Sequence, residues 1–167
     1  MPTAHSAQTS DAPTLSATRA GPTGNGERKV DALLAHYGTS HQNPRNELIH
    51  YIAIPLIMLS LLGMLFSVHP WLAYAFIAAS LVYYARLSMV FFATMLVMSL
   101  ASVGLLFALG DTLLAVSVSI FVGAWVMQFV GHKIEGKKPS FLEDIQYLWV
   151  GPLFVLSRLF GKLGLRW

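Results

Sequence analysis

Apolar residues fill four long runs of this chain, and short polar breaks separate the runs. They cover residues 48–68, 71–85, 87–109 and 112–131. A helix of about 20 apolar residues is long enough to cross a hydrocarbon core of roughly 30 Å. The pattern therefore predicts an all-α fold, an integral membrane bundle of four transmembrane helices. Pro55 lies inside the first run and is expected to kink it.

The segment before the first run holds three patterns. Residues 1–26 are rich in Ala, Thr, Ser, Pro and Gly, which predicts a disordered tail. An N-terminal amphipathic helix that ends at Gly38 is expected next, because apolar residues recur at helical spacing. Asn43 and Pro44 then predict an N-cap followed by proline at the first helical position. The membrane domain is expected to span residues 27–167.

The segment after the last run, residues 140–167, is predicted to be helical and to lie in the membrane interface. Its basic side chains recur every fourth position, at Arg158, Lys162 and Arg166, among apolar residues. Gly151-Pro152 is expected to interrupt the helix, which disfavours a fifth membrane span.

Composition narrows the class of protein. Hydrophobic residues make up 55% of the chain and charged residues only 11%, about half the charge of a soluble domain. The formal net charge of +3 does not indicate nucleic-acid binding, because the few basic residues cluster at the ends of the apolar runs. The chain has no cysteine, which excludes disulfides, thiolate catalysis and cysteine metal sites.

Basic residues alternate from one break to the next and predict the topology. Lys and Arg precede the first run, follow the fourth, and lie at Arg86 between the second and third, whereas the other two breaks have none. Because positive charge favours the cytoplasmic side, both termini are expected in the cytoplasm.

This topology is expected to bring two distant polar clusters together. His41 and His50 lie at the cytoplasmic start of the first run, and His132 and Glu135 lie at the cytoplasmic end of the fourth. Asn46 and His50 are four residues apart, so they share a helix face. His132 and Glu135, three apart, do the same. We therefore expect these side chains to converge on one membrane face.

Imidazole and carboxylate together suit a non-haem iron or a similar metal. His36, five residues before His41, is a further candidate ligand. The role of Glu135 stays open: it is a possible ligand, a hydrogen-bond partner of a ligating histidine, or an ion-pair partner of Lys138.

The candidates other than His36 belong to two polar motifs that carry a resemblance to a known family. The motifs are His41-Gln42-Asn43-Pro44-Arg45-Asn46-Glu47-Leu48-Ile49-His50 and Gln128-Phe129-Val130-Gly131-His132-Lys133-Ile134-Glu135-Gly136-Lys137-Lys138-Pro139-Ser140. Through them the chain resembles the membrane 2-hydroxy-fatty-acid (2-hydroxy-palmitic acid) dioxygenases and their bacterial relatives. The resemblance extends over residues 33–159.

The resemblance implies an Fe(II)-dependent alpha-oxidation that shortens a 2-hydroxy fatty acid by one carbon. The family histidines needed for iron map onto His41, His50 and His132. Asn46, Gln128 and Glu135 belong to the same motifs. Candidates to attract the substrate carboxylate follow the last histidine, at Lys133, Lys137 and Lys138.

The expected cofactor is Fe(2+), and the expected partners are a 2-hydroxy fatty acid, dioxygen and membrane lipids. The expected location is the bacterial inner membrane, with several membrane passes. The acyl chain is expected to run between the first and fourth runs, and Gly104 and Gly123 are expected to allow close helix packing. The sequence leaves the oligomeric state open.

Two other interpretations remain open from the sequence. A non-enzymatic membrane lipid-binding or scaffold protein would use its polar edge only to set topology. A di-iron hydroxylase-like enzyme would use the spacing of His36 and His41 as part of a histidine box, although such sites use more histidines than this chain offers.

Overall fold

The computed structural model describes residues 28–39, 41–136 and 147–167, and every regular element in these ranges is helical. In chain order the elements are α1 (Lys29–Gly38), α2 (Pro44–Val68), α3 (Pro70–Ala85), α4 (Met89–Leu109), a 3-10 turn (Gly110–Thr112), α5 (Leu113–Glu135) and α6 (Val150–Lys162). The predicted all-α fold is confirmed for these ranges. The predicted tail, residues 1–26, lies outside the described residues.

Two helices begin with a side-chain cap followed by proline. The Asn43 side chain accepts a hydrogen bond of 2.9 Å from the backbone N–H of Arg45, and Pro44 is the first residue of α2. This confirms the predicted cap. At α3, His69 Nδ1 accepts from the backbone N–H of Trp71 at 3.3 Å. Each side chain pairs a backbone donor that has no partner within its own helix.

Two segments of the described chain are long and apolar enough to cross a membrane. One is α2, whose helix continues through Pro55 without interruption, and the other is the stretch Met89–Glu135 formed by α4, the 3-10 turn and α5. Helix α3 is also apolar but has only 16 residues. These lengths and compositions support an association with membranes.

Helices α2 and α5 pack against each other in antiparallel orientation, and glycines allow a very close approach. A Cβ atom added at Gly63 of α2 would lie 2.0 Å from Ser117 Oγ of α5. A Cβ atom added at Gly131 of α5 would lie 2.4 Å from Asn46 Oδ1 of α2. Glycine therefore stands where each helix meets a polar side chain of the other.

The glycines that the sequence predicted to lie in a close helix contact are different ones. At Gly104 and at Gly123, an added Cβ atom would meet nothing within 4 Å among the described residues. That prediction was wrong, because a glycine in an apolar run does not reveal which face of its helix meets a neighbour.

Helix α6 covers the end of the bundle near α1. Its apolar face joins a core cluster with residues of α1, α3 and α4: Val30, Tyr84, Phe91, Met95, Leu153, Leu156 and Phe160. Gly151 and Pro152 lie in the first turn of α6, directly after a turn at residues 147–149, so the helix break that the sequence predicted near them falls where α6 begins. Proline is tolerated there because the backbone N–H groups of a first helical turn have no partner within the helix.

We predict that Gly63→Ala lowers the free energy of unfolding by about 1–3 kcal/mol, because the new methyl group must displace Ser117. The measurement is thermal or denaturant unfolding of the purified full chain in detergent. Gly123→Ala is the matched control and should be neutral or slightly stabilising, since alanine favours a helix over glycine. Adding Ser117→Gly should restore stability to Gly63→Ala; unchanged stability in the single variant would contradict the close contact.

Candidate metal centre

Three buried histidines from separate segments form one cluster. His41 lies between α1 and α2, His50 in α2 and His132 in the last turn of α5, and their exposed fractions are 3%, 0% and 6%. The ring centroids are 4.3 Å apart for His41 and His50, 5.3 Å for His50 and His132, and 6.0 Å for His41 and His132. The structure thus brings together the three histidines that the sequence singled out.

Backbone carbonyls hold two of these rings by the same nitrogen. His41 Nδ1 donates to the carbonyl oxygen of Tyr37 at 2.9 Å, and His50 Nδ1 donates to that of Asn46, also at 2.9 Å. Since a carbonyl oxygen only accepts, the proton of each neutral ring is on Nδ1, and Nε2 carries the lone pair. Metal-binding histidines commonly show this arrangement, in which the second ring nitrogen donates to a carbonyl or carboxylate.

Aromatic residues surround His41. Its ring stacks on Tyr37 with a centroid distance of 4.2 Å, and the ring of Phe154 lies 5.6 Å away. Neither aromatic residue was predicted from the sequence to be part of the site. The separation of Tyr37 and His41 by four residues was a signal for the first contact. The contact with Phe154 depends on how α6 docks, which no local pattern records.

The close approach of α5 to α2 lets His132 reach the cluster. Gly131, its neighbour in α5, faces Asn46 and His50: an added Cβ atom would lie 3.3 Å from His50 Cε1 as well as 2.4 Å from Asn46 Oδ1. A larger residue at this position would hold the helices apart. The spacing of His50 and His132 therefore depends on a glycine one residue away.

Glu135 binds the start of α2. Its Oε1 accepts from the backbone N–H of Gln42 at 2.9 Å and that of Asn43 at 3.3 Å. Its Oε2 accepts from the backbone N–H of Asn43 and from Asn46 Nδ2, both at 3.0 Å. A carboxylate is favourable at a helix N-terminus, where N–H groups and the helix dipole are positive. These contacts make Glu135 a link between α5 and α2, and its role as a metal ligand stays a prediction.

The structure places the other predicted site residues as follows. His36 is exposed, and its ring lies 5.8 Å from that of Tyr147, so it does not join the cluster. Gln128 is buried one helical turn before His132. Lys133 is exposed at the end of α5, whereas Lys137 and Lys138 lie outside the described residues.

The histidine cluster is compatible with a metal ion in the type of its donor atoms and in the spacing of its rings. An ion bound at about 2.1 Å to one nitrogen of each ring would hold ring centroids roughly 4.5–6 Å apart, close to the observed distances. Yet no group of three or more His, Asp or Glu side chains in the described part of the chain is already arranged to hold an ion. Imidazole nitrogen suits iron as well as zinc, copper and nickel, so the three histidines are a donor set compatible with iron.

The buried cluster of three histidines, one just before α2 and the others in α2 and α5, defines the class of this protein as a helical protein with a candidate metal centre. Comparison with known proteins refines the class. The family model described as 2-hydroxy-palmitic acid dioxygenase Mpo1-like matches residues 28–163, so the chain belongs to the Mpo1-like family. This confirms the resemblance carried by the two polar motifs and supports a role like that of a fatty-acid dioxygenase.

One relative has a described activity. The 2-hydroxy-palmitic acid dioxygenase MPO1 of Saccharomyces cerevisiae is 28% identical over 148 residues, which cover 84% of this chain and 85% of the relative. No solved structure matches the chain significantly.

We predict that Glu135→Ala lowers the free energy of unfolding by about 1–3 kcal/mol, because three N–H donors lose their acceptor. Glu135→Gln should cost less, since it keeps one acceptor oxygen. The measurement is unfolding of the full chain in detergent with a chelator, so that no metal contributes. Asp111→Ala, which removes an exposed carboxylate in the 3-10 turn, is the control. Unaltered stability together with lost metal affinity would instead make Glu135 a ligand.

Proposed function

We propose that this protein is an Fe(II)-dependent dioxygenase that shortens 2-hydroxy fatty acids by one carbon. The observation that carries the proposal is the convergence of His41, His50 and His132 into one buried cluster. Family membership and the printed activity of the yeast relative supply the substrate class. The cluster supplies a donor set suited to iron.

In this proposal the three histidines hold the iron through one ring nitrogen each. When bound, Fe(II) supplies the reactivity toward dioxygen that amino-acid side chains lack. The carbonyl groups of Tyr37 and Asn46 fix the orientation of two rings. Burial of all three histidines keeps bulk water away from the reacting atoms.

The substrate carboxylate needs a positive partner at the edge of the cluster. Lys133 is one residue beyond His132 and is exposed, so it can attract an anion arriving from the membrane surface. Lys137 and Lys138 remain proposed partners on sequence grounds. An ammonium group at the edge of the cluster would mainly raise the local concentration of the anionic substrate. It would contribute less to holding the bound acid.

The membrane arrangement is part of the proposal. Helices α2 to α5 cross the bacterial inner membrane as four spans, with both termini and the histidine cluster on the cytoplasmic side. The alternation of basic residues and the presence of two helices of sufficient length support this arrangement. Single cysteines test it without background, because the chain has none. Asp111→Cys should react with an impermeant maleimide in intact cells and Ala85→Cys only after permeabilisation; the reverse result would contradict the topology.

The di-iron interpretation loses its main support. It needed His36 beside His41, but His36 is exposed on α1, and its ring lies against Tyr147. The non-enzymatic interpretation predicts that the chain binds no metal, and the following experiment addresses it directly.

We predict about one iron per chain after anaerobic loading of the purified protein, and turnover of 2-hydroxypalmitate in air. Alanine at His41, His50 or His132 should lower iron affinity at least about tenfold and remove turnover, because each variant deletes a ligand. The measurements are metal analysis and mass spectrometry of the shortened acid.

His36→Ala is the matched control for this experiment. It removes an exposed histidine from the same part of the chain and should leave iron content and turnover unchanged. Full iron occupancy with normal turnover in His132→Ala would overturn the assignment. Absence of bound iron in the parent protein would favour a non-enzymatic role.

A further inference from the structure

If the proposed substrate is correct, its acyl chain has no room along the seam where α2 meets α5. The backbones approach so closely that one methyl group at Gly63 would collide with Ser117, and one at Gly131 would collide with Asn46. At these two positions the expected path between the first and fourth apolar runs is therefore closed. A chain that starts at the histidine cluster must leave the seam.

A small cavity beside the cluster offers a way out of the seam. This vestibule has a volume of about 30 Å³ and is lined by Tyr37, Ile54, Met58, Trp125, Gln128 and Gly151. Tyr37 stacks on His41, and Gln128 lies one turn before His132. The vestibule is therefore lined by one residue that contacts His41 and by another that lies one helical turn from His132.

Gln128 gives the vestibule a polar acceptor. Its exposed fraction is 4%, and its Oε1 has no hydrogen-bond partner among the described residues. A buried amide oxygen without a partner is costly, and a bound ligand with a hydroxyl donor would relieve that cost. The 2-hydroxyl of a 2-hydroxy acid is such a donor.

A second cavity is also lined by residues of α2. This apolar chamber has a volume of about 80 Å³, and its walls come from α2, α3, α4 and α6, including Phe76, Ile77, Met95 and Met98. Its wall contains three serines, Ser80, Ser99 and Ser102, and two of them have hydrogen bonds within the bundle. Ser80 donates to the carbonyl oxygen of Phe76 and accepts from Trp149 Nε1, and Ser102 donates to the carbonyl oxygen of Met98. The chamber therefore offers an apolar ligand an apolar surface.

Ile54 and Met58 line both cavities and so form the partition between them. The two side chains differ in freedom to move. Ile54 is buried and packs against Gly151: a Cβ atom added at Gly151 would lie 3.2 Å from Ile54 Cδ1. Met58 is partly buried and unbranched, so it can change rotamer at low cost. The movable wall is therefore Met58.

We propose that the acyl chain of the substrate passes from the histidine cluster by Gln128 and Met58 into the apolar chamber. Both cavities are smaller than the roughly 300–1,000 Å³ of ordinary ligand pockets. A long chain must therefore displace the flexible side chains of Met58, Met95 and Met98. In this arrangement Met58 is a specificity-determining residue that sets how long a chain the enzyme accepts.

A chain-length profile tests the role of Met58. Met58→Trp should lower kcat/KM for 2-hydroxypalmitate by roughly tenfold or more and leave 2-hydroxyoctanoate within about twofold, because the indole closes the partition. Met64→Trp is the matched control, since Met64 lies in the same helix and lines neither cavity. Equal losses for both substrates, or equal effects of the two variants, would overturn the proposal.

Photolabelling gives a readout that does not need turnover. The probe is 2-hydroxypalmitate with a diazirine at the end of its chain, added to the purified full chain and mapped by mass spectrometry. Labels should fall on α4 around Met95 and Met98 and should disappear in Met58→Trp. Labels elsewhere would overturn the proposed path even if the parent enzyme turns over. Labels in the chamber without turnover would support the path and contradict the dioxygenase function.

Discussion

The close antiparallel contact between α2 and α5 is the interaction on which the candidate site depends. The contact is close at Gly63 and at Gly131, where an added methyl group would collide with a polar side chain of the facing helix. Lipid tails are as apolar as the side chains they surround, so close packing rather than a hydrophobic driving force holds helices together within a membrane. That packing sets the distance between His50 and His132, which are 82 residues apart in the sequence.

A second constraint fixes the end of this contact. The carboxylate of Glu135, at the last residue of α5, accepts hydrogen bonds from the N–H groups that begin α2 and from Asn46. The same turn of α2 holds His50 through the carbonyl group of Asn46. One acidic residue thus joins the end of one helix to the start of another, beside the histidines. Polar residues of the two sequence motifs, Asn46 and Glu135, therefore hold the histidines in position.

The sequence predicted the helices and the meeting of the histidines well. Apolar run length and the Asn43-Pro44 cap placed the helices, and the alternation of basic residues put His50 and His132 at the same end of the bundle. Three features needed the structure. Spacing does not say which face of a helix meets a neighbour, so Gly104 and Gly123 were chosen wrongly, and the role of Glu135 stayed open. The sequence also did not show that α6 begins at Val150, which places Gly151-Pro152 in its first turn.

We propose that three imidazoles distant in the sequence bind one ion, and X-ray absorption at the iron edge of the loaded full-length protein measures this binding most directly. We expect an inner shell with three imidazole nitrogens at roughly 2.1 Å, recognised by the outer scattering of the rings. We also expect loss of one imidazole in each histidine variant that retains some iron. A shell of oxygen atoms alone, without imidazole scattering, would contradict the account.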